Sequence, residues 1–114
     1  MISIEGYDQL NKAIVENTGK QLLLYFGATW CGPCMVLKEK IEKNKEEIKD
    51  LVVINVDCDV PENEDIMEQY NITALPTQIF VHLDKDRVVN DFTIQGVDWI
   101  LLVMKYNELT EKNN

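Results

Sequence analysis

The hydrophobic positions of this chain form two kinds of segment: short apolar runs, and longer stretches whose apolar residues recur every three or four positions. The short runs predict strands, and the longer stretches predict helices. Two runs, 22–26 and 51–56, are almost entirely apolar or β-branched, which is typical of parallel strands that are covered on both faces. We place the other strands at 1–4, 77–82 and 87–94.

Helical spacing predicts four helices between and after these strands. The first covers 7–17 and ends at Gly19, and the second covers 35–50. The third begins at Pro61 and runs to about residue 70, and the fourth follows Gly96. The apolar residues that we expect to face inward are Leu10, Ile14 and Val15 on the first helix, and those that mark one face of the last helix are Trp99, Ile100, Val103 and Met104.

The resulting order of elements is β-α-β-α-β-α-β-β-α, in a single domain that spans residues 1–114. Strands that alternate with helices predict a parallel sheet with helices on both faces. A turn at 84–86 joins the last two strands, so these two strands form an antiparallel hairpin. The predicted fold class is therefore α/β, with a central mixed sheet flanked by helices on both faces.

The charge and hydropathy of the chain restrict its partners and location. A formal net charge of −9 argues against nucleic acid, because the phosphate backbone would be repelled. No apolar run is long enough to span a membrane, and the first residues lack the features of a leader peptide, so we expect a soluble, cytoplasmic protein and no membrane partner. We interpret an acidic cluster as solvated surface that would favour a basic partner: Asp57, Asp59, Glu62, Glu64, Asp65 and Glu68.

The segment Trp30-Cys31-Gly32-Pro33-Cys34 indicates the chemistry of the protein. It follows a predicted strand and opens a predicted helix, so the first sulfur lies over free backbone N–H groups at the positive end of the helix dipole. This environment lowers the pKa of the Cys31 thiol towards neutrality and makes a thiolate available. Two thiols at this spacing and in this context predict a redox-active disulfide.

Further residues accompany this motif in a definite order along the chain. They are Phe26, Ala28, the Trp30–Cys34 segment, Asp57 or Asp59, Ala74-Leu75-Pro76-Thr77, and Gly96. Because these residues occur in this order, the chain resembles the thioredoxins, and the resemblance extends along nearly its whole length. The resemblance implies the thioredoxin fold, with Pro76 as a cis-proline that faces the cysteines. It also implies a substrate-binding platform around Cys31 formed by Trp30, Gly32, Pro33, Ala74, Leu75, Pro76, Gln95 and Gly96.

The same resemblance implies a mechanism and a set of partners. Cys31 would attack a substrate disulfide and Cys34 would resolve the mixed disulfide, which is the activity of a protein-disulfide reductase. No metal and no bound cofactor is implied, because the Cys31–Cys34 pair carries the electrons. NADPH would act only indirectly, through a thioredoxin reductase-like electron donor. The implied substrates are disulfide-containing proteins, and we expect a monomer.

Some positions depart from the family pattern beside the motif. Tyr25 replaces the buried carboxylate of the preceding strand, and Gly27 stands where a tryptophan is frequent. The lysine of the neighbouring strand is replaced by Asn55 or Val53, depending on the alignment. We therefore expect Tyr25 to tune the pair, and water or the leaving thiolate to accept the proton of Cys34. A more oxidising exchanger or isomerase, and an accessory binding module of this fold, are the alternatives.

Outside the motif, Cys58 and His82 are two other residues whose side chains could react or bind a metal. Cys58 lies between two carboxylates, which raise the pKa of a thiol, so we interpret it as an inert structural residue rather than a third redox thiol. A zinc site formed by Cys31, Cys34, Cys58 and His82 is disfavoured, because a second closely spaced pair of ligands is missing. We expect His82 to be a strand residue.

Overall fold

The computed structural model, which describes residues 1–112, contains a mixed sheet with helices on both faces. The strands are β1 (Ile2–Ile4), β2 (Leu22–Gly27), β3 (Val52–Asp57), β4 (Thr77–Asp84) and β5 (Arg87–Gln95). The α-helices are α1 (Tyr7–Glu16), α2 (Gly32–Lys43), α3 (Glu64–Gln69) and α4 (Trp99–Lys112), with short 3-10 helices at Lys45–Ile48 and Pro61–Asn63. The predicted order of elements and the predicted fold class are both confirmed.

The sheet is organised around β2, all of whose residues are buried. β3 pairs with β2 and β1 in parallel, whereas β4 pairs antiparallel with β2 and β5. Successive side chains of a strand point to opposite faces, so β2 contributes to two cores. Leu23 and Tyr25 belong to the core shared with α2 and α4, and Leu24 and Phe26 belong to the core shared with α1 and α3.

The inward face predicted for the first helix is partly wrong. Leu10 and Ile14 are buried as expected, but Val15 is 62% exposed. Each residue of an α-helix advances by about 100°, which places Val15 far from the direction shared by Leu10 and Ile14. Ala13 completes the buried face instead.

The predicted second helix is divided into two pieces. It begins at Gly32 rather than at residue 35, and α2 ends at Lys43. The next residue, Asn44, caps the helix, and its side-chain amide donates to the carbonyl of Lys40 at 2.8 Å. A short 3-10 helix follows at Lys45–Ile48. The Asn44 side chain satisfies a carbonyl at the end of the helix, which favours termination at this residue.

The apolar face predicted for the last helix is also partly wrong. Among the described side chains of α4, Leu102 and Tyr106 are buried, while Ile100 and Met104 are exposed. On a helical wheel Ile100 and Met104 lie nearly opposite Leu102, so they cannot share its face. Trp99 and Val103 are half-buried against the core, as predicted. None of the described helices is long and apolar enough to cross a lipid bilayer.

Candidate active site

The paired cysteines lie at the junction between β2 and α2. Cys31 occupies the N-cap position, and Pro33 lies in the first turn, where a proline needs no hydrogen-bond acceptor. Cys31 and Cys34 form a disulfide, with their Cα atoms 5.2 Å apart. The backbone N–H of Cys34 donates to Sγ of Cys31 at 3.2 Å. The sulfur of Cys31 therefore caps the helix by accepting a hydrogen bond from a backbone N–H of the first turn, as a side-chain oxygen does at many helix N-termini.

The two cysteines differ in their access to solvent. Cys31 retains 7% of its surface, whereas Cys34 is completely buried. Around Cys31, the neighbouring residues Trp30, Gly32 and Pro33 are exposed. Of the two cysteines, Cys31 is therefore the one that offers surface to a substrate.

Trp30 directly precedes Cys31 and is held by an acidic residue. Its side chain is 70% exposed, and its indole N–H donates to the carboxylate of Asp59 at 3.0 Å. Asp59 itself lies in a turn after β3, and its backbone N–H donates to the carboxylate of Asp57 at 2.9 Å. These contacts orient a large apolar surface that remains open to a partner.

The segment before β4 forms the other part of the predicted platform. The Leu75–Pro76 peptide bond is cis, as the resemblance implied. The hydroxyl of Thr77 donates to the carbonyl of Ala74 at 2.6 Å, and the N–H of Gly96 donates to the carbonyl of Pro76 at 2.8 Å. Gly96 has a φ of 82°, a left-handed conformation that favours glycine, at the point where β5 ends.

Parts of the predicted platform are in contact with one another. Leu75 is half-buried against the same core cluster that contains Cys31 and Cys34, and Gly96 is bonded to Pro76. Ala74 and Gln95 are exposed. Binding of substrate by these residues remains a prediction.

Tyr25 lies beneath the pair on β2. Its side chain is only 2% exposed, and its hydroxyl donates to the backbone carbonyl of Cys34 at 2.5 Å. Burial, with a smaller contribution from the nearby Cys58 thiol, raises the pKa of Tyr25 to about 12. Tyr25 is therefore neutral at physiological pH and acts as a hydrogen-bond donor rather than as a proton acceptor.

The residues that pair with Tyr25 in the sheet are uncharged. Tyr25 pairs with Asn55 of β3 and with Gln78 of β4, while Val53 pairs with Leu23. The register therefore identifies Asn55 as the neighbour of Tyr25. A cavity of about 60 Å³ opens beside this position, with Tyr25, Asn55, Lys38 and Asp57 in its wall, and it has room for one or two water molecules.

Gln78 is a buried polar residue of the site that the sequence analysis did not single out. It is fully buried, and its side-chain N–H donates to the carbonyl of Gly96 at 3.1 Å. Its side-chain oxygen has no hydrogen-bond partner within the described part of the chain. A polar residue directly before the apolar run Ile79-Phe80-Val81 was the signal that could have identified it.

Cys58 is a free thiol, separate from the disulfide. Burial, followed by the charges of Asp57 and Asp59, raises the pKa of Cys58 to about 11. The predicted direction is correct, but burial contributes more than the carboxylates do. At neutral pH the Cys58 thiol is protonated and therefore weakly nucleophilic.

His82 lies on β4 and contacts Asp91, with Nδ1 at 2.9 Å from the carboxylate. Asp91 occupies an irregularity in the pairing of β4 with β5, where Val81 is opposite Asn90 and Phe80 is opposite Phe92. Among residues 1–112, no group of three or more His, Cys, Asp or Glu side chains could hold a metal ion.

Comparisons with known proteins show a consistent similarity. Residues 4–107 match the family model described as Thioredoxin. Thioredoxin-T of Drosophila melanogaster is 33% identical over 78 residues, which are 68% of this chain and 49% of that protein, so the chain spans about half the length of that relative. Thioredoxin of Coprinus comatus is 38% identical over 74 residues, 65% of this chain and 68% of that protein. The structure of Trichomonas vaginalis thioredoxin superposes with a TM-score of 0.84 at 25% identity and covers 96% of both chains.

Proposed function

This chain belongs to the thioredoxin family, and we propose that it is a protein-disulfide oxidoreductase that works by dithiol–disulfide exchange. The observation that carries the proposal is the Cys31–Cys34 disulfide at the start of α2, with the N–H of Cys34 directed at the sulfur of Cys31. A negative charge that develops on this sulfur is stabilised by the N–H group and by the helix dipole. Cys31 is therefore the nucleophile.

The exchange proceeds in two steps that transfer two electrons. The thiolate of Cys31 attacks one sulfur of the substrate disulfide, which forms a mixed disulfide and releases the other substrate sulfur as a thiolate. The thiol of Cys34 then loses its proton to water or to the released thiolate, and its sulfur attacks Sγ of Cys31. The substrate leaves as a dithiol, and the protein retains the Cys31–Cys34 disulfide.

The physiological direction that we propose is reduction of protein disulfides in the cytoplasm. A reducing compartment is consistent with the free thiol of Cys58. Electrons would come from a thioredoxin reductase-like flavoprotein that draws on NADPH, as is general in this family. The exposed Trp30 and the segment from Ala74 to Pro76 offer the surface for a disulfide-bearing protein.

Reduction of insulin disulfides with a chemical reductant tests this function. We expect the wild-type protein to accelerate the reaction, Cys31→Ser to abolish the acceleration, and Cys34→Ser to accumulate mixed disulfides after the first attack. Cys58→Ser is the matched control and should retain activity. No acceleration by the wild type would favour an accessory binding module, and preferential labelling of Cys34 by a limiting electrophile would reverse the assigned roles.

A more oxidising exchanger or isomerase is the second candidate, and the uncharged Tyr25 and Asn55 beneath the pair favour it. A redox titration against glutathione separates the two functions. A potential near about −270 mV supports the reductase, whereas a potential near about −180 mV supports the isomerase.

A further inference from the structure

The hydroxyl of Tyr25 makes a hydrogen bond to the redox centre, and its acceptor is the backbone carbonyl of the second cysteine. We propose that Tyr25 is a positioning residue for the resolving step: its hydrogen bond to the carbonyl of Cys34 holds the buried thiol in line with Sγ of Cys31. The inference rests on the disulfide exchange proposed above and assigns a role to a residue that stands where the family has a carboxylate.

Residue 34 is held from two directions. Its N–H donates to Sγ of Cys31 at 3.2 Å, and its carbonyl accepts the hydroxyl of Tyr25 at 2.5 Å. The first contact depends on the sulfur that is being attacked and changes during the reaction. The second comes from β2, in the middle of the sheet, and does not involve a reacting atom. Tyr25 therefore connects the resolving cysteine to the central strand of the sheet.

The resolving step is sensitive to such positioning. The sulfur of Cys34 must approach Sγ of Cys31 in line with the bond to the substrate sulfur that leaves, and small misplacements of reacting groups reduce rates strongly. Tyr25 does not take the proton of Cys34, because its hydroxyl is protonated and already donates to the carbonyl. The proton passes to water or to the thiolate released in the first step.

The space for the Tyr25 side chain depends on Gly27. A Cβ atom at residue 27 would lie 2.8 Å from the Tyr25 hydroxyl, 2.9 Å from Cε1 and 3.0 Å from Cζ. These distances are shorter than van der Waals contact, so any larger residue forces the ring to move. The positive-φ glycines of the chain are Gly6, Gly19 and Gly96, so the backbone conformation does not require glycine at residue 27. Glycine is required at residue 27 because a side chain there would collide with the ring of Tyr25.

The two steps can be timed separately with an aryl disulfide whose thiolate is coloured. The reduced protein releases one thiolate when Cys31 attacks and a second when Cys34 resolves the mixed disulfide. We expect Tyr25→Phe to leave the first release unchanged and to slow the second by about three- to tenfold, which corresponds to roughly 0.6–1.4 kcal/mol. Across pH, the maximum rate of the second release should fall while the midpoint of the profile stays in place.

Tyr106→Phe is the matched control. Tyr106 is also buried in the core shared with α2 and α4, and its hydroxyl also makes a hydrogen bond to the backbone, accepting from the N–H of Asp50 at 3.1 Å. Asp50 lies beyond the C-terminal end of α2, away from the cysteines. Loss of this bond should lower stability as much as Tyr25→Phe does, without a change in the second release.

Gly27→Ala provides an independent variant that leaves Tyr25 in the sequence. It should slow the second release as Tyr25→Phe does, because the added methyl group displaces the hydroxyl. In the double variant the two effects should not add, since they remove the same hydrogen bond. Additive effects would contradict the shared cause.

Other outcomes would overturn the inference. They are an unchanged second release in Tyr25→Phe, an equal slowing in Tyr106→Phe, or a shifted pH midpoint with an unchanged maximum rate. The aryl disulfide reports on the cysteines even if the protein fails to reduce insulin. Failure of the proposed reductase function and failure of the role assigned to Tyr25 are therefore distinguishable.

Discussion

Replacement of a buried carboxylate by Tyr25 changes the electrostatics beneath the disulfide. The hydroxyl is neutral, and its neighbours in the sheet, Asn55 and Gln78, carry no charge. No negative charge from residue 25 therefore opposes ionisation of the Cys31 thiol. A more stable reduced state makes a thiol–disulfide couple more oxidising, and about 30 mV corresponds to roughly 1.4 kcal/mol.

A carboxylate introduced at this position should reverse the effect. We expect Tyr25→Asp to make the protein more reducing by a few tens of mV, because a buried negative charge destabilises the thiolate of the reduced state. Tyr25→Asn is the control, since it removes the phenol without adding charge. Equilibration with a glutathione buffer measures both potentials. A folded Tyr25→Asp variant with a potential equal to or less negative than that of the wild type would defeat this explanation.

Cys58 offers a prediction about pH. Its thiol has a pKa of about 11, raised mainly by burial, so the thiolate is scarce at neutral pH and increases about tenfold per pH unit below that value. In the Cys31→Ser/Cys34→Ser background, alkylation of Cys58 should be slow at pH 7 and should accelerate steadily up to pH 10. The urea-unfolded variant is the control and should react faster at pH 7. Equally rapid labelling of the folded form would show that Cys58 is a reactive thiol.

At the scale of elements, α1 contains a direct test of which helix face is buried. Ile14 is 1% exposed and Val15 is 62% exposed, although the two residues are adjacent. We expect Ile14→Ala to lower the free energy of unfolding by about 2–5 kcal/mol through loss of apolar burial and creation of a cavity. Val15→Ala should change it by less than about 0.5 kcal/mol. Urea denaturation of the oxidised protein measures both, and similar losses at the two positions would contradict this face of α1.

The elements also determine which cysteine is the more accessible one. β2 carries Tyr25 to a position beneath the pair, and α2 begins where β2 ends, with one loop between them. The first cysteine caps the helix and the second lies within its first turn, so their different exposure follows from the helix geometry. The asymmetry of chemical roles that we propose would therefore be a consequence of where the helix begins.

At the scale of the whole molecule, the net charge of −9 should influence association with substrates. We expect kcat/KM for a basic disulfide-bearing protein to fall by roughly tenfold as ionic strength increases from low salt to well above 0.1 M, because screening removes long-range attraction. A small neutral disulfide is the control and should show little dependence. A flat salt profile for the basic protein would indicate that charge does not steer its association with the platform.

The sequence by itself determined the fold class and the reacting pair. Alternating apolar runs and amphipathic stretches specify a sheet between helices, and Trp30–Cys34 places two thiols close enough to bond without any distant contact. These features are local, because the period of a strand or helix and the spacing of two cysteines are properties of neighbouring residues. The match of residues 4–107 to the family model confirms the resemblance on which the remaining expectations depended.

The tertiary structure decided which faces are buried and what surrounds the pair. The identity of an apolar residue such as Val15 or Ile100 does not show whether another element buries it, because burial depends on packing between distant segments. The sheet register, not the alignment, identified Asn55 as the neighbour of Tyr25. The contact between the Tyr25 hydroxyl and Cys34, and the space that Gly27 leaves for the ring, exist only after β2 and α2 have packed together. Hydrogen bonds and close contacts of this kind depend on three-dimensional distances, which the order of residues alone does not contain.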